Sequence, residues 1–187
     1  MDRIMTWLEK RYPLKFSVVQ GIFMGVLKLV LALVSGLWLI AFSALYNFGI
    51  AGARGAIIKE KKNFVGWIVM LSSFLFVIYS YWIYKNGNSA EYDMRVAILI
   101  AAVTFTDIVL AVRGIIKAHK NNNNENKMIS LISLATALIS LTLTQTAILS
   151  FTQKGRDTSQ YNGICGMIFG MVAMVIGLII LTRCKDD

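Results

Sequence analysis

Two ionisable side chains stand where charge is least expected. Lys28 lies inside FSVVQGIFMGVLKLVLALV (16–34) and Asp107 inside MRVAILIAAVTFTDIVLAVRGII (94–116). An ionised group at the centre of a bilayer costs at least about 2.5 kcal/mol unless it is paired, wetted or neutralised. An ammonium and a carboxylate that meet there can form an ion pair, share a water, pass a proton or hold a coupling ion. Other chemistries are poorly supplied. The chain has one histidine, His119, and two cysteines, Cys165 and Cys184. The cysteines stand about 28 Å apart along one helix, too far for a disulfide, and a single histidine makes no His/Cys metal cluster. Without a nucleophile, base and orienting group at recognisable spacing, no enzymatic activity, metal or cofactor is expected.

The elements that must hold these residues follow from composition. The chain has 187 residues, 57% apolar and 16% charged, with one proline and 14 glycines. A soluble domain keeps about a quarter of its residues charged, and apolar runs of about 20 residues exceed what so small a core can hide. The reading is an all-α integral membrane protein with six transmembrane helices at 16–34, 37–58, 64–84, 94–116, 128–151 and 161–182. At 1.5 Å rise, each reaches roughly 30 Å of hydrocarbon. They form one domain, 16–182, flanked by a cytoplasmic interfacial segment, 1–15, and a cytoplasmic tail, 183–187. Because 16–58 is nearly continuous, a tight turn is placed at Ser35-Gly36, where glycine tolerates positive φ. Residues 2 to 12 read as a short interfacial helix, with Ile4, Met5, Trp7 and Leu8 against Arg3, Lys10 and Arg11, ended by Pro13. Asn121 to Asn124, with Glu125 and Lys127, reads as a polar spacer.

Cationic flanks stay on the cytoplasmic side. The N-terminal tail (Arg3, Lys10, Arg11, Lys15), the second connection (Arg54, Lys59, Lys61, Lys62), the fourth (Arg113, Lys117, Lys120, Lys127) and the C-terminus (Arg183, Lys185) hold fourteen cations. The other side holds four, Lys85, Arg95, Lys154 and Arg156. Both termini are therefore predicted on the cytoplasmic side of the cell membrane. The net charge of +9 then reflects contact with anionic lipid headgroups rather than nucleic acid.

On straight helices Lys28 and Asp107 differ in depth by only about 5 Å. Lys28 shares its face with Gly21 and Gly25, and Asp107 shares one with Thr104, Ala111 and Gly114. Both faces should turn inward, so the first and fourth spans are predicted neighbours and the two charges a pair. Ser43, Tyr46 and Asn47 on span two, Ser73 and Ser80 on span three, and Thr142, Thr144, Gln145 and Thr146 on span five add polar groups. The candidate midplane site is Lys28, Asp107, Asn47, Tyr46, Gln145 and Thr144. Small residues let helices approach closely in lipid. Gly21 and Gly25, and Gly166, Gly170 and Gly177 with Gly163 and Ala173, read as packing seams, with a homodimer the less favoured alternative. Ser133, Ala137, Ser140, Thr144 and Ala147 form a third such seam. Arg54 and Arg113, near cytoplasmic ends, are expected to snorkel.

The six spans, inside termini, short first turn and polar fourth connection resemble the membrane domain of cation diffusion facilitators. The stretch VLKLVLALVSGLWLIAFSALYNFGI, 26–50, is similar to that family's first two helices. The family's span-two metal ligands, four residues apart, fall here on Tyr46 and Ile50, span five carries no Asp or His, and the C-terminal metal-binding domain is missing. The likeness therefore implies fold without zinc chemistry. ALYNFGIAGARG (44–55) and SLTLTQTAILSF (140–151) resemble a group of small six-helix bacterial integral membrane proteins of no assigned activity, which implies no site residues. Two functions stay open, a small transporter-like protein with a polar midplane site for an ion or small molecule, and a non-catalytic membrane subunit or scaffold.

Overall fold

The structure, a computed structural model, describes residues 2–35, 38–59, 62–87, 94–120, 124–153 and 155–183. They form six helices, α1 (Asp2–Ser35), α2 (Trp38–Ile58), α3 (Lys62–Asn86), α4 (Met94–Lys120), α5 (Asn124–Thr152) and α6 (Ser159–Arg183). Long apolar runs without water must satisfy every backbone N–H and C=O internally, and the α-helix does this within one segment. Phe64–Asn86, Met94–Ile116, Lys127–Thr152 and Ser159–Thr182 are long and apolar enough to cross a membrane. In α1 the apolar stretch Ser17–Leu33 is shorter. The apolar run of α2 is interrupted by Ser43, Tyr46, Asn47 and Arg54, all buried.

Two expected boundaries differ. α1 continues unbroken through Pro13, where the sequence predicted the end of a separate interfacial helix. Proline's fixed φ is itself helical, so what is lost is one N–H bond and room for the ring, which weakens a helix without obliging it to stop. α5 begins at Asn124, so Glu125 and Lys127 belong to a helix rather than to a spacer. Gly36 of the expected first turn, and Asn121 to Asn123, lie outside the described residues.

The helices pack in a ring, α1 on α2, α2 on α3, α3 on α6, α6 on α5, α5 on α4 and α4 on α1, with α2 and α5 meeting across the middle. This is two stacked layers of three. Each contact is antiparallel. Gly163 lies against Tyr84 and Gly177 against Met70 between α6 and α3. Gly21 lies against Ala51 and Gly25 against Phe48 between α1 and α2. Thr104 meets Thr144, and Gly114 meets Ser133, between α4 and α5. The second layer therefore runs opposite to the first. The outer surface is apolar, with Phe23, Leu33, Trp38, Leu45, Trp67 and Phe105 exposed, while Lys28, Ser43, Asn47, Arg54, Asp107 and Ser140 are buried. A soluble protein has the reverse arrangement; an apolar coat over a polar centre suits hydrocarbon.

Candidate functional site

Lys28 of α1 is 1% exposed and Asp107 of α4 is 5% exposed, and they form an ion pair between the two layers. An ammonium has three N–H donors, and the described residues take all of them. One goes to Asp107 Oδ2, and the others to Ser43 Oγ of α2 and Ser140 Oγ of α5, each at 3.3 Å. Ser140 in turn donates to Asp107 Oδ2 at 3.2 Å, and Asn47 Nδ2 donates to the same oxygen at 3.5 Å. Four helices thus meet at one charge pair. The bonds that Asp107 accepts from described residues all fall on Oδ2.

The structure brings three of the six sequence-selected polar residues into this cluster, Lys28, Asp107 and Asn47. Thr144 lies one turn along α5 from Ser140 and bonds Thr104 of α4, within the same layer, at 2.7 Å while donating to the Ser140 carbonyl at 3.0 Å. Tyr46 is 2% exposed; its hydroxyl sits beside Ser73 without a bond of ordinary geometry. Gln145 is half-buried and, five residues beyond Ser140, lies about 140° around α5 from it, off the face carrying the cluster. Most other buried hydroxyls bond their own helix: Ser73, Ser80, Thr136, Thr142 and Thr146 donate to carbonyls four residues back. Such local bonds leave little for a ligand.

Two residues of this region were not assigned to the site from sequence. Ser140, read only as part of a packing seam, is both acceptor from Lys28 and donor to Asp107. Its signal was a hydroxyl in line with Ser133 and Thr144 on a helix that packs at the centre. Arg54, expected to snorkel, is 7% exposed. Nη1 donates to the Ser17 carbonyl at 3.1 Å and Nη2 to Ser133 Oγ at 3.4 Å. It falls seven residues after Asn47, two turns on along the same face, which carries it inward. Arg113 is exposed.

The two directions away from the ion pair differ in chemistry. Toward the α1–α2 turn, past the Thr104–Thr144 bond, Ala32, Ile40, Ala97, Ile100 and Ala147 close into an apolar cluster with Leu31, Ala41, Val96 and Ala101 packed against it. Toward the opposite end, beyond the buried Ile50 and Ala51, the next buried polar group on α2 is Arg54, about 10 Å from Asn47, with Ser133 and the Ser17 carbonyl as its partners. The helix-packing glycines lie at helix contacts, Gly21 of them beside Arg54. Gly21 and Gly25 pack on α2. On α6, Gly166 lies against Ser80, Gly170 against Val77 and Gly177 against Met70. Among the described residues, no three His, Cys, Asp or Glu side chains are grouped to hold a metal ion. No family model matches the chain, and no curated protein matches it.

Proposed function

We propose that this chain is a small transporter-like membrane protein that crosses the cell membrane six times, with both termini in the cytoplasm, and whose working site is the Lys28–Asp107 pair. The observation that carries this is the placement of the pair, enclosed by four helices between an apolar cluster at one end and the buried Arg54 guanidinium at the other. A transport site needs an access that differs between its two sides, and charges kept inside a bundle at this energetic cost mark ion or substrate paths. The antiparallel stacking of two three-helix layers gives the arrangement of an inverted repeat, around which alternating access operates in other transporters. The similarity of plan to cation diffusion facilitators belongs to this reading, with an ion or small polar solute as cargo and no zinc site.

A second reading, a non-catalytic membrane subunit, draws support from the saturation of Lys28, whose three donors are all used. Reconstituted liposomes separate the two. Under the transport reading, purified protein carries a proton- or cation-dependent flux that Asp107→Asn abolishes at equal protein incorporation. Under the subunit reading, the wild type carries no flux over a screen of monovalent and divalent cations, and Asp107→Asn loses only stability.

A further inference from the structure

Among the described residues, the buried charged side chains are Lys28, Arg54 and Asp107, two cations to one anion. Asp107 acts electrostatically on Arg54, but its carboxylate is committed to Lys28, Asn47 and Ser140 and takes no hydrogen bond from the guanidinium. Arg54 is held on both sides. Its Nη1 is tied to the Ser17 carbonyl of α1 and its Nη2 to the Ser133 hydroxyl of α5, which fixes the plane of the group. Neither partner is charged, and Nε–H, fully buried, has no acceptor. The buried Tyr46 hydroxyl, two turns before Arg54 on α2 and beside Ser73, likewise makes no bond of ordinary geometry. Water would satisfy the orphaned N–H and leave the surplus charge in place. An anion answers both. Of the guanidinium nitrogens only Nε is without any partner, which suits a monatomic ion better than a phosphate, whose oxygens take several donors.

We propose that Arg54 binds a small monovalent anion of the halide class between α1, α2 and α5, with Nε–H as its principal donor. The site requires only the buried guanidinium and does not depend on the Lys28–Asp107 pair turning over, so it stands or falls apart from the transport reading. Chloride is the probe. In detergent at constant ionic strength, stepwise replacement of gluconate by chloride should raise the melting temperature of the wild type along a saturating curve. The chloride NMR line should broaden in its presence and sharpen again on adding bromide, and sulfate should produce neither effect. Arg54→Gln removes a surplus buried charge while keeping most of the side-chain volume; it should fold and lose both responses. A wild-type melting temperature indifferent to chloride, with no line broadening, overturns the proposal whatever the variants do. So does an Arg54→Gln protein that retains both responses.

Discussion

Lys28 and Asp107 are legible in the sequence because a charge inside an apolar run must find a partner, and the chain offers few. What was hidden is the chemistry around them. A serine at helical spacing looks the same whether it packs, bonds its own helix or bridges two charges, and Ser140 was distinguished from Thr142 only by its position between α4 and α1. Arg54 was misread because its place in the sequence, near the predicted end of a span, says nothing of which neighbours enclose it. The energetics of the pair make a prediction at this scale. Removing one member of a buried ion pair leaves an uncompensated charge and typically costs about 3–5 kcal/mol, whereas replacing both by apolar groups of similar volume is often neutral. Asp107→Asn and Lys28→Met should each lower the melting temperature sharply, and Lys28→Met/Asp107→Leu should recover most of the loss. Additive losses in this double-mutant cycle would mean that the two side chains do not interact.

At the scale of the helix, the glycine seam of α6 was readable from steps of three and four, while its partner was not, since any face rich in small residues could have received it. α3 does so at close range. A Cβ at Gly177 would stand 2.8 Å from the Met70 backbone nitrogen, and one at Gly163 would stand 2.8 Å from the Tyr84 Cα and backbone nitrogen. Backbone atoms cannot swing aside as a side-chain tip can, so Gly177→Leu and Gly163→Leu should each destabilise the fold by about 1–3 kcal/mol, the usual range for overpacking. Gly52→Ala, where a Cβ meets nothing within 4 Å, should be neutral or gain about 0.5–1 kcal/mol from helix propensity. Equal melting temperatures for all three would contradict the α3–α6 contact. The start of α6 carries a second expectation. The Ser159 hydroxyl beside it, and the Ser159 backbone N–H that it accepts at 2.9 Å, hold the exposed Asp157 carboxyl below its ordinary value. With its folded value depressed, its contribution is present above the ordinary carboxylate range and is lost as pH falls through the lowered value. Asp157→Ala should therefore speed hydrogen exchange at the Ser159 amide near neutral pH and leave the middle of α6 unchanged; unchanged exchange at Ser159 would show that this contact does not hold the helix start. The ends of helices were the least legible feature, because α1 and α5 run past the apolar stretches that mark them, and backbone hydrogen bonding does not stop where hydrocarbon does.

For the whole molecule, hydropathy conveyed a membrane protein of packed helices, and it could not convey their order in space. The ring of contacts, with α2 and α5 across its centre, follows from long-range pairings such as Asn47 with Asp107 and Arg54 with Ser133, which no local pattern encodes. This ordering encloses the ion pair among four helices, with an apolar cluster toward one end and the buried Arg54 toward the other, the difference between ends that a transport role requires. The sharpest measurement is ion flux through liposomes containing the Lys28→Met/Asp107→Leu protein, beside the wild type at equal incorporation and with both shown to be folded by their melting curves. The wild type should conduct its coupled flux, and the charge-free variant should be folded and silent. A variant that carries flux at the wild-type rate would contradict it, since the solute would then cross without the pair.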